Sequence, residues 1–105
     1  MMYGAIVMLT ACSGRMVTIV TGGTRGIGFG IAQAMAAKGS DLLLTYNTNA
    51  AAARDAAMQL EHEFGCHVKC VGGDISLAHV RKAVFAHYDS VYANTHTLKA
   101  MIHNA

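Results

Sequence analysis

Five glycines fall within ten residues of this chain, in the stretch TGGTRGIGFG at residues 21–30, directly after the apolar run MVTIV at residues 16–20. Glycine inside a helix costs about 1 kcal/mol relative to alanine, so something other than stability accounts for this density. A short β-branched run, then glycines, then apolar residues at helical spacing predict a strand, a tight turn and a helix. Such a turn lets a ligand approach the main chain, because no Cβ stands in the way.

The turn is also a candidate anion site. The unpaired N–H groups of a helix's first turn and the helix dipole both attract negative charge. The glycines are spaced Gly22-x-x-x-Gly26-x-Gly28, which is not the G-x-G-x-x-G form, and no Gly-Lys-Ser/Thr occurs for a P-loop. Taken alone, this spacing fits either a phosphate-binding turn or a tight turn without a ligand. The strand-turn-helix context favours phosphate binding.

The rest of the chain repeats the alternation of strand and helix. Three further apolar runs predict strands at residues 42–46, 66–71 and 98–102. A helix is predicted over residues 50–64, and another begins after Ser76 as its N-cap. Gly39 and Gly65 end the first two helices. The order β-α-β-α-β-α-β implies a parallel sheet with right-handed crossovers, in the strand order 3-2-1-4 of a partial doubly wound sheet.

The apolar stripes of the first and third helices predict which faces are buried. For the first helix the stripe consists of Ile27, Ile31, Ala34 and Met35. For the third helix it consists of Val80, Val84, Tyr88 and Val91. The histidines in and after the third helix, His79, His87 and His96, are expected at solvated positions.

Three short motifs stand at predicted strand ends. Residues 21–28 resemble the T-G-x-x-x-G-I-G cofactor motif of the short-chain dehydrogenase/reductase family. The Asp-Ile pair at residues 74–75 resembles that family's Asp-Val/Ile pair, and residues 103–105 resemble its Asn-Asn-Ala-Gly motif, with His103 in place of the first asparagine. The resemblance covers residues 16–105 and implies an α/β, three-layer Rossmann-like NAD(P)-binding fold.

The resemblance also implies which residues contact the cofactor. Those expected around the pyrophosphate and the adenosine ribose are Gly22, Thr24, Arg25, Gly26, Ile27 and Gly28. Asp74 would accept a hydrogen bond from the adenine amino group, and Ile75 would pack on the ring. Asn104 and Ala105 would lie beside the ribose.

The end of the second strand distinguishes the two nicotinamide cofactors. NAD-specific sites place a carboxylate there to bind the ribose 2′-hydroxyl, whereas this chain has Thr45, Tyr46 and Asn47. A carboxylate would repel a 2′-phosphate, and Arg25 in the glycine turn offers a bidentate phosphate donor. We therefore expect Tyr46 and Asn47 to border the site and NADP(H) to be favoured over NAD(H). The alternative for Arg25 is an ordinary solvated arginine.

Proton transfer in the family is carried by a Tyr-x-x-x-Lys pair with an upstream serine. None of the tyrosines at positions 3, 46, 88 and 92 has a lysine four residues further on. The resemblance, which is to 3-oxoacyl-carrier-protein reductases in particular, implies the NADP(H)-binding portion of a carbonyl reductase. A non-catalytic nucleotide-binding module and a fragment without function stay open as alternatives. An oligomer is expected only for a full-length form.

Charge and composition exclude several other classes. The net charge is +2 and the basic residues are scattered, so no nucleic-acid partner is expected. No apolar run approaches the roughly 18 residues of a membrane span, and three cysteines fit a reducing, cytoplasmic setting. Residues 1–15 form an apolar leader of uncertain status. Its Leu-Thr-Ala-Cys stretch ending at Cys12 resembles a lipoprotein cleavage box, while a start at Met16 would remove the leader altogether.

A metal site is not expected. The histidines and cysteines that crowd together in sequence are His62, Cys66, His67 and Cys70. Their spacing is not Cys-x-x-Cys, and the first lies on a predicted helix end. The others lie on a predicted strand, where alternate side chains face opposite ways.

Overall fold

The computed structural model describes residues 15–103, so all of the predicted leader except Arg15, and the predicted site residues Asn104 and Ala105, lie outside the described part. Within it, strands and helices alternate as predicted. Strands β1 to β4 span Arg15–Thr21, Asp41–Tyr46, Val68–Gly72 and His96–His103. Helices α1 to α3 span Gly26–Ala37, Ala50–Phe64 and Ala78–Val91. The strands pair in parallel in the order β3-β2-β1-β4, which confirms the predicted α/β fold and its strand order.

Two apolar clusters on opposite faces of the sheet produce three layers. On one face Leu44 of β2 packs with Ala36 of α1 and Leu60 of α2. On the other face Leu43, its neighbour in β2, packs with Val84 of α3. Because successive strand residues point to opposite faces, a central strand covered on both sides is a continuous apolar run.

Helix α1 buries a different stripe from the predicted one. The side of α1 against the sheet consists of Gly28, Ala32 and Ala36. Ile27 is 76% exposed and Ala34 is also exposed, so their assignment to the core was wrong. Ile31 and Met35 pack only partly against the cluster. Small residues face the strands because α1 lies close to them, and apolar periodicity alone does not indicate that distance.

Several element boundaries also differ from the prediction, among them both ends of β4, which spans His96–His103 rather than residues 98–102. Ser76 does not cap α3, since Leu77 is the N-cap and the Ser76 N–H and hydroxyl both donate to Asp74 Oδ1. Strand β3 begins at Val68 rather than Cys66. The N–H of His67 donates to the Asp41 side chain at 2.9 Å, so regular strand pairing starts one residue later. Val91, predicted to be buried, is 40% exposed.

A buried carboxylate joins the amino ends of the strands. Asp41 is 1% exposed and accepts hydrogen bonds from Arg15 Nε at 2.8 Å and Arg15 Nη2 at 2.9 Å. His96 Nε2 lies 2.7 Å from Asp41 Oδ2, and Thr95 Oγ1 lies 2.8 Å from the other ring nitrogen. The His96 side chain is only 11% exposed, so the expectation that it is solvated was wrong. Burial by itself would raise the pKa of Asp41, but hydrogen bonds from Arg15, the His67 N–H and His96 outweigh it and lower that pKa to about 2.

The Tyr92 hydroxyl is buried with no hydrogen-bond partner among the described residues. Burial, with smaller contributions from Asp41 and Cys70, raises the pKa of Tyr92 to about 12. Because an unsatisfied buried hydroxyl costs about 1–3 kcal/mol, we expect Tyr92→Phe to increase the free energy of unfolding by about 1 kcal/mol. Urea denaturation of both proteins measures this. Tyr88→Phe, at a half-buried ring stacked on Tyr92, is the control with little expected change. A clear loss of stability in Tyr92→Phe alone would mean that the hydroxyl has a partner.

The two histidines of α3 differ in exposure. His79 is exposed as expected, whereas His87 is half-buried and its Nε2 has no partner among the described residues.

Within residues 15–103, no three His, Cys, Asp or Glu side chains come close enough together to hold a metal ion. No helix in the same residues has the length and apolar character needed to cross a membrane.

Candidate functional site

A cleft of about 460 Å³ opens at the carboxyl ends of β1, β2 and β3, which is within the usual range of ligand pockets. The residues that line it are Gly22, Thr24, Arg25, Gly26, Thr45, Tyr46, Asn47, Gly73, Asp74 and Ile75. All of them except Thr45 and Gly73 are candidate site residues from the sequence. Ile27 and Gly28 are not among the lining residues; they lie on the first turn of α1, which borders the cleft.

Glycine is required in this turn for two different reasons. Gly22 and Gly26 have φ values of +65° and +62°, in the left-handed region that other residues rarely adopt. Gly23 has no such φ, but a Cβ there would lie 2.8 Å from Leu44 Cδ2 and 3.0 Å from the Val20 carbonyl oxygen. The first pair shapes the turn, and Gly23 lets the turn pack directly on the sheet.

The start of α1 is open to an anion. Arg25 is the N-cap with an extended backbone, and its side chain makes no capping hydrogen bond. No acidic residue occupies the first turn of the helix. The partial positive charge of this helix end is therefore not neutralised locally. The exposed Arg25 guanidinium adds a full positive charge beside it.

Strand β2 holds the glycine turn through Thr45. The Gly22 N–H donates to Thr45 Oγ1 at 3.0 Å, and the Gly23 N–H donates to the Thr45 carbonyl oxygen at 3.2 Å. Thr45 is 2% exposed, so it is a support for the turn as much as a wall of the cleft. In the sequence, Thr45 stands out only as a strand-end residue that is not a carboxylate. A hydroxyl residue at the end of a buried strand is the signal that could have marked it.

The β3 end of the cleft is a second tight turn. Gly73 has a φ of +134° and its N–H donates to the Tyr46 carbonyl oxygen at 2.9 Å. A Cβ on Gly72 would lie 2.6 Å from the Tyr46 ring, so that ring rests on the backbone of this turn. In the sequence, these two glycines mark only the end of the third predicted strand. They are needed because the chain passes closely between Tyr46 and the start of α3.

The Asp74 carboxylate has one oxygen left to accept a hydrogen bond from a ligand. Its Oδ1 accepts from the Ser76 N–H at 2.9 Å and from the Ser76 hydroxyl at 2.7 Å, and these bonds lower the pKa of Asp74. Arg81 Nη1 donates to the carbonyl oxygens of Ile75 and Ser76, at 3.1 and 2.7 Å, and fixes the loop. Since Oδ1 is engaged, Oδ2 is the oxygen that a ligand's N–H group would meet.

The cleft thus combines three kinds of recognition. The open helix start and Arg25 suit an anionic group, the Asp74 carboxylate suits an N–H donor, and half-buried Ile75 suits a flat apolar ring. The three features belong to the ends of β1 and β3, with β2 between them. A ligand that uses all three must be extended along the carboxyl edge of the sheet.

Three reductases resemble this chain in sequence or in fold. The chain is 32% identical over 94 residues to L-xylulose reductase of Aspergillus niger, covering 83% of this chain and 32% of that protein. The fold matches L-sorbose reductase from Gluconobacter frateurii, complexed with NADPH and L-sorbose, with a TM-score of 0.72 and 27% identity over 82% of this chain and 33% of that one. It also matches a 3-oxoacyl-[acyl-carrier protein] reductase from Brucella melitensis, with a TM-score of 0.72 and 34% identity over 87% of this chain and 34% of that one.

The chain spans about a third of the length of each of these relatives. The family model that matches is that of the short chain dehydrogenases, and it covers residues 16–105. These residues include the whole sheet from Met16 onward and every lining residue of the cleft. The chain therefore belongs to the short-chain dehydrogenase family.

Proposed function

We propose that this chain is the NADP(H)-binding part of a reductase, and that the whole protein transfers hydride from NADPH to a carbonyl group. The observation that carries the proposal is the charge pattern around the cleft. Arg25 lies at the glycine turn, and β2 ends in Thr45, Tyr46 and Asn47 without a carboxylate. A 2′-phosphate between these two elements meets a cation and no repelling acid.

The other parts of the cofactor have matching groups in the cleft. The pyrophosphate would take the open N–H groups at the start of α1, next to Gly22 and Gly26. Asp74 Oδ2 would accept from the adenine amino group, and Ile75 would pack on the adenine ring. The nicotinamide supplies the hydride when the cofactor is bound. The residues of this chain bind and orient the dinucleotide.

The proposed substrate of the whole protein is a ketose sugar or a 3-oxoacyl thioester. Two of the relatives reduce sugars by their names, and one is a 3-oxoacyl-carrier-protein reductase. In these 105 residues no tyrosine is followed by a lysine four positions on. We therefore expect this chain by itself to bind NADPH without reducing a carbonyl, as a nucleotide-binding module would.

Removing the Arg25 charge tests the proposed cofactor. We expect Arg25→Ala to raise the Kd for NADPH about tenfold, because a charge-assisted hydrogen bond contributes about 1.5–3 kcal/mol. The Kd for NADH should change by less than about twofold, since NADH has no 2′-phosphate to lose that contact. Fluorescence titration of the reduced nicotinamide measures both constants.

Lys38→Ala is the matched control, because it removes one positive charge at the far end of the same helix. Its Kd for NADPH should stay at the wild-type value. Equal losses of NADPH and NADH affinity in Arg25→Ala would show that Arg25 contacts the part the two cofactors share. A wild-type chain that prefers NADH would overturn the proposed cofactor.

A further inference from the structure

A hydroxyl, an imidazole and a carboxylate form a chain of hydrogen bonds at the amino end of the sheet, opposite the edge that holds the glycine turn. Thr95 Oγ1 lies 2.8 Å from His96 Nδ1, and His96 Nε2 lies 2.7 Å from Asp41 Oδ2. Thr95 is exposed, the His96 side chain is 11% exposed and Asp41 is buried. From solvent inward the order is therefore hydroxyl, base and carboxylate, which is the arrangement that activates hydroxyl nucleophiles.

The buried carboxylate decides where the protons lie. Hydrogen bonds outweigh burial and lower the pKa of Asp41 to about 2, so its oxygens only accept, and His96 Nε2 carries the proton of their contact. In the neutral ring Nδ1 then has a free lone pair, and the Thr95 hydroxyl donates to it. The same hydroxyl lies 3.4 Å from the Val91 carbonyl oxygen, which is a longer and weaker alternative. His96 thus faces Thr95 as a base.

Packing keeps this base in place. The His96 ring meets the buried ring of Tyr92 edge-on, with the two centroids 4.9 Å apart. Asp41, which receives the Nε2 proton, is itself held by Arg15 Nε at 2.8 Å. The Arg15 N–H also donates to the Thr95 carbonyl oxygen at 3.1 Å, which fixes the backbone that carries the hydroxyl. A nucleophile and base held in this way need no rearrangement before they react.

We propose that Thr95 is a modification site whose hydroxyl takes an acyl group from an activated ester or thioester, with His96 as the base and Asp41 as a positioning residue. The Oγ1 proton passes to His96 Nδ1 while Oγ1 attacks the acyl carbonyl carbon. A new C–O bond forms, and the bond from that carbon to the leaving oxygen or sulfur breaks. The leaving group departs with the electron pair and takes up the proton from His96, so nothing is oxidised or reduced. This site does not depend on the cofactor, because the cleft lies at the other end of the strands.

Acetylation by p-nitrophenyl acetate at pH 8 tests the proposal. Release of p-nitrophenolate gives the total rate, and peptide mapping by mass spectrometry gives the rate at each residue. We expect Thr95 to be acetylated at least about tenfold faster than Thr97, since general-base assistance contributes about 10²–10⁴-fold in rate. Thr97 is the matched comparison, because it is an exposed threonine on the same strand. Thr95→Val should lose the fast acetylation, and Thr97→Val should keep it.

Two further variants test the base and the carboxylate. His96→Gln and Asp41→Asn should each slow acetylation of Thr95 about tenfold or more, because neither leaves an oriented base. Acetylation of exposed Lys99 in the same samples should not change, so a general change in reactivity is told apart from loss of the base. Equal rates at Thr95 and Thr97 in the wild-type chain, or an unchanged Thr95 rate in His96→Gln, would overturn the proposal. If either variant is unfolded by circular dichroism, the wild-type comparison of the two threonines and Thr95→Val decide.

Discussion

Replacing Asp41 with alanine should lower the free energy of unfolding by about 2–4 kcal/mol, because a hydrogen bond to a charged group contributes about 1.5–3 kcal/mol and the half-exposed Arg15 can turn to water when its partners in the network cannot. Asp41 is 1% exposed and accepts from Arg15, His96 and the His67 N–H. These donors come from the amino ends of β1 and β4 and from the residue before β3. A small domain has only about 5–15 kcal/mol of stability in all. Chemical denaturation should therefore find a large fraction of that stability lost in Asp41→Ala.

The loss of stability at acid pH is a second measurement of what Asp41 contributes. Its folded-state pKa is about 2, below the ordinary value of 3.8. The sign follows from linkage: a lowered pKa stabilises the fold in full above about pH 4, and that stabilisation is lost as the pH falls towards 2. Asp41→Asn keeps an oxygen acceptor but cannot titrate, so its stability should be lower at pH 7 and fall less steeply between pH 4 and 2.

Asp55→Ala is the control, because Asp55 is an exposed carboxylate on α2 with no hydrogen bond or ion pair among the described residues. Its stability should stay within about 0.5 kcal/mol of the wild type. If Asp41→Ala were as stable as Asp55→Ala, the network would contribute nothing, and desolvation of Asp41 would have cancelled all of its hydrogen bonds.

The Asp41 network illustrates what the sequence does not reveal. Its residues lie 26 and 55 positions apart, and each is polar at a strand end, where a solvated side chain is the ordinary expectation. Local signals worked better, because their cause is local. Gly65 ends α2 in the left-handed region, as the sequence predicted, and Asn49 caps the start of that helix by accepting from the Ala52 N–H.

The candidate site was predictable for the same reason, and only in part. Glycines at a strand end, an Asp-Ile pair and an acid-free second strand are local patterns, and the fold brings them to one cleft. Thr45 and Gly73 were missed because their contacts join segments that are far apart in sequence. The Thr45 hydroxyl and carbonyl oxygens accept from the glycine turn, and the Gly73 N–H donates to the Tyr46 carbonyl oxygen. The exposure of Ile27 was missed because apolar spacing does not tell which side of a glycine-rich helix approaches the sheet.

The second large effect on stability is expected at the glycine turn. It is measured by replacing Gly23 with alanine and comparing the result with the same replacement at Gly30. Gly23→Ala should lower the free energy of unfolding by about 2–3 kcal/mol, as overpacking in a well-packed interior does. The new Cβ would lie 2.8 Å from Leu44 Cδ2 and 3.0 Å from the Val20 carbonyl oxygen. Leu44 is fully buried and the carbonyl is main chain, so neither moves aside freely.

Gly30→Ala adds the same methyl group at an exposed position of helix α1, where a Cβ meets nothing within 4 Å. It should raise the free energy of unfolding by about 0.5–1 kcal/mol, because alanine loses less backbone entropy than glycine. Urea denaturation of the two variants measures the difference, and NADPH titration of Gly30→Ala shows whether the site is kept. The two variants should change the free energy of unfolding in opposite directions, since of these two glycines only Gly23 lies against the sheet. If Gly23→Ala were stabilising as well, the added methyl group would fit beside Leu44, and close approach to the sheet would not be the reason for glycine at this position.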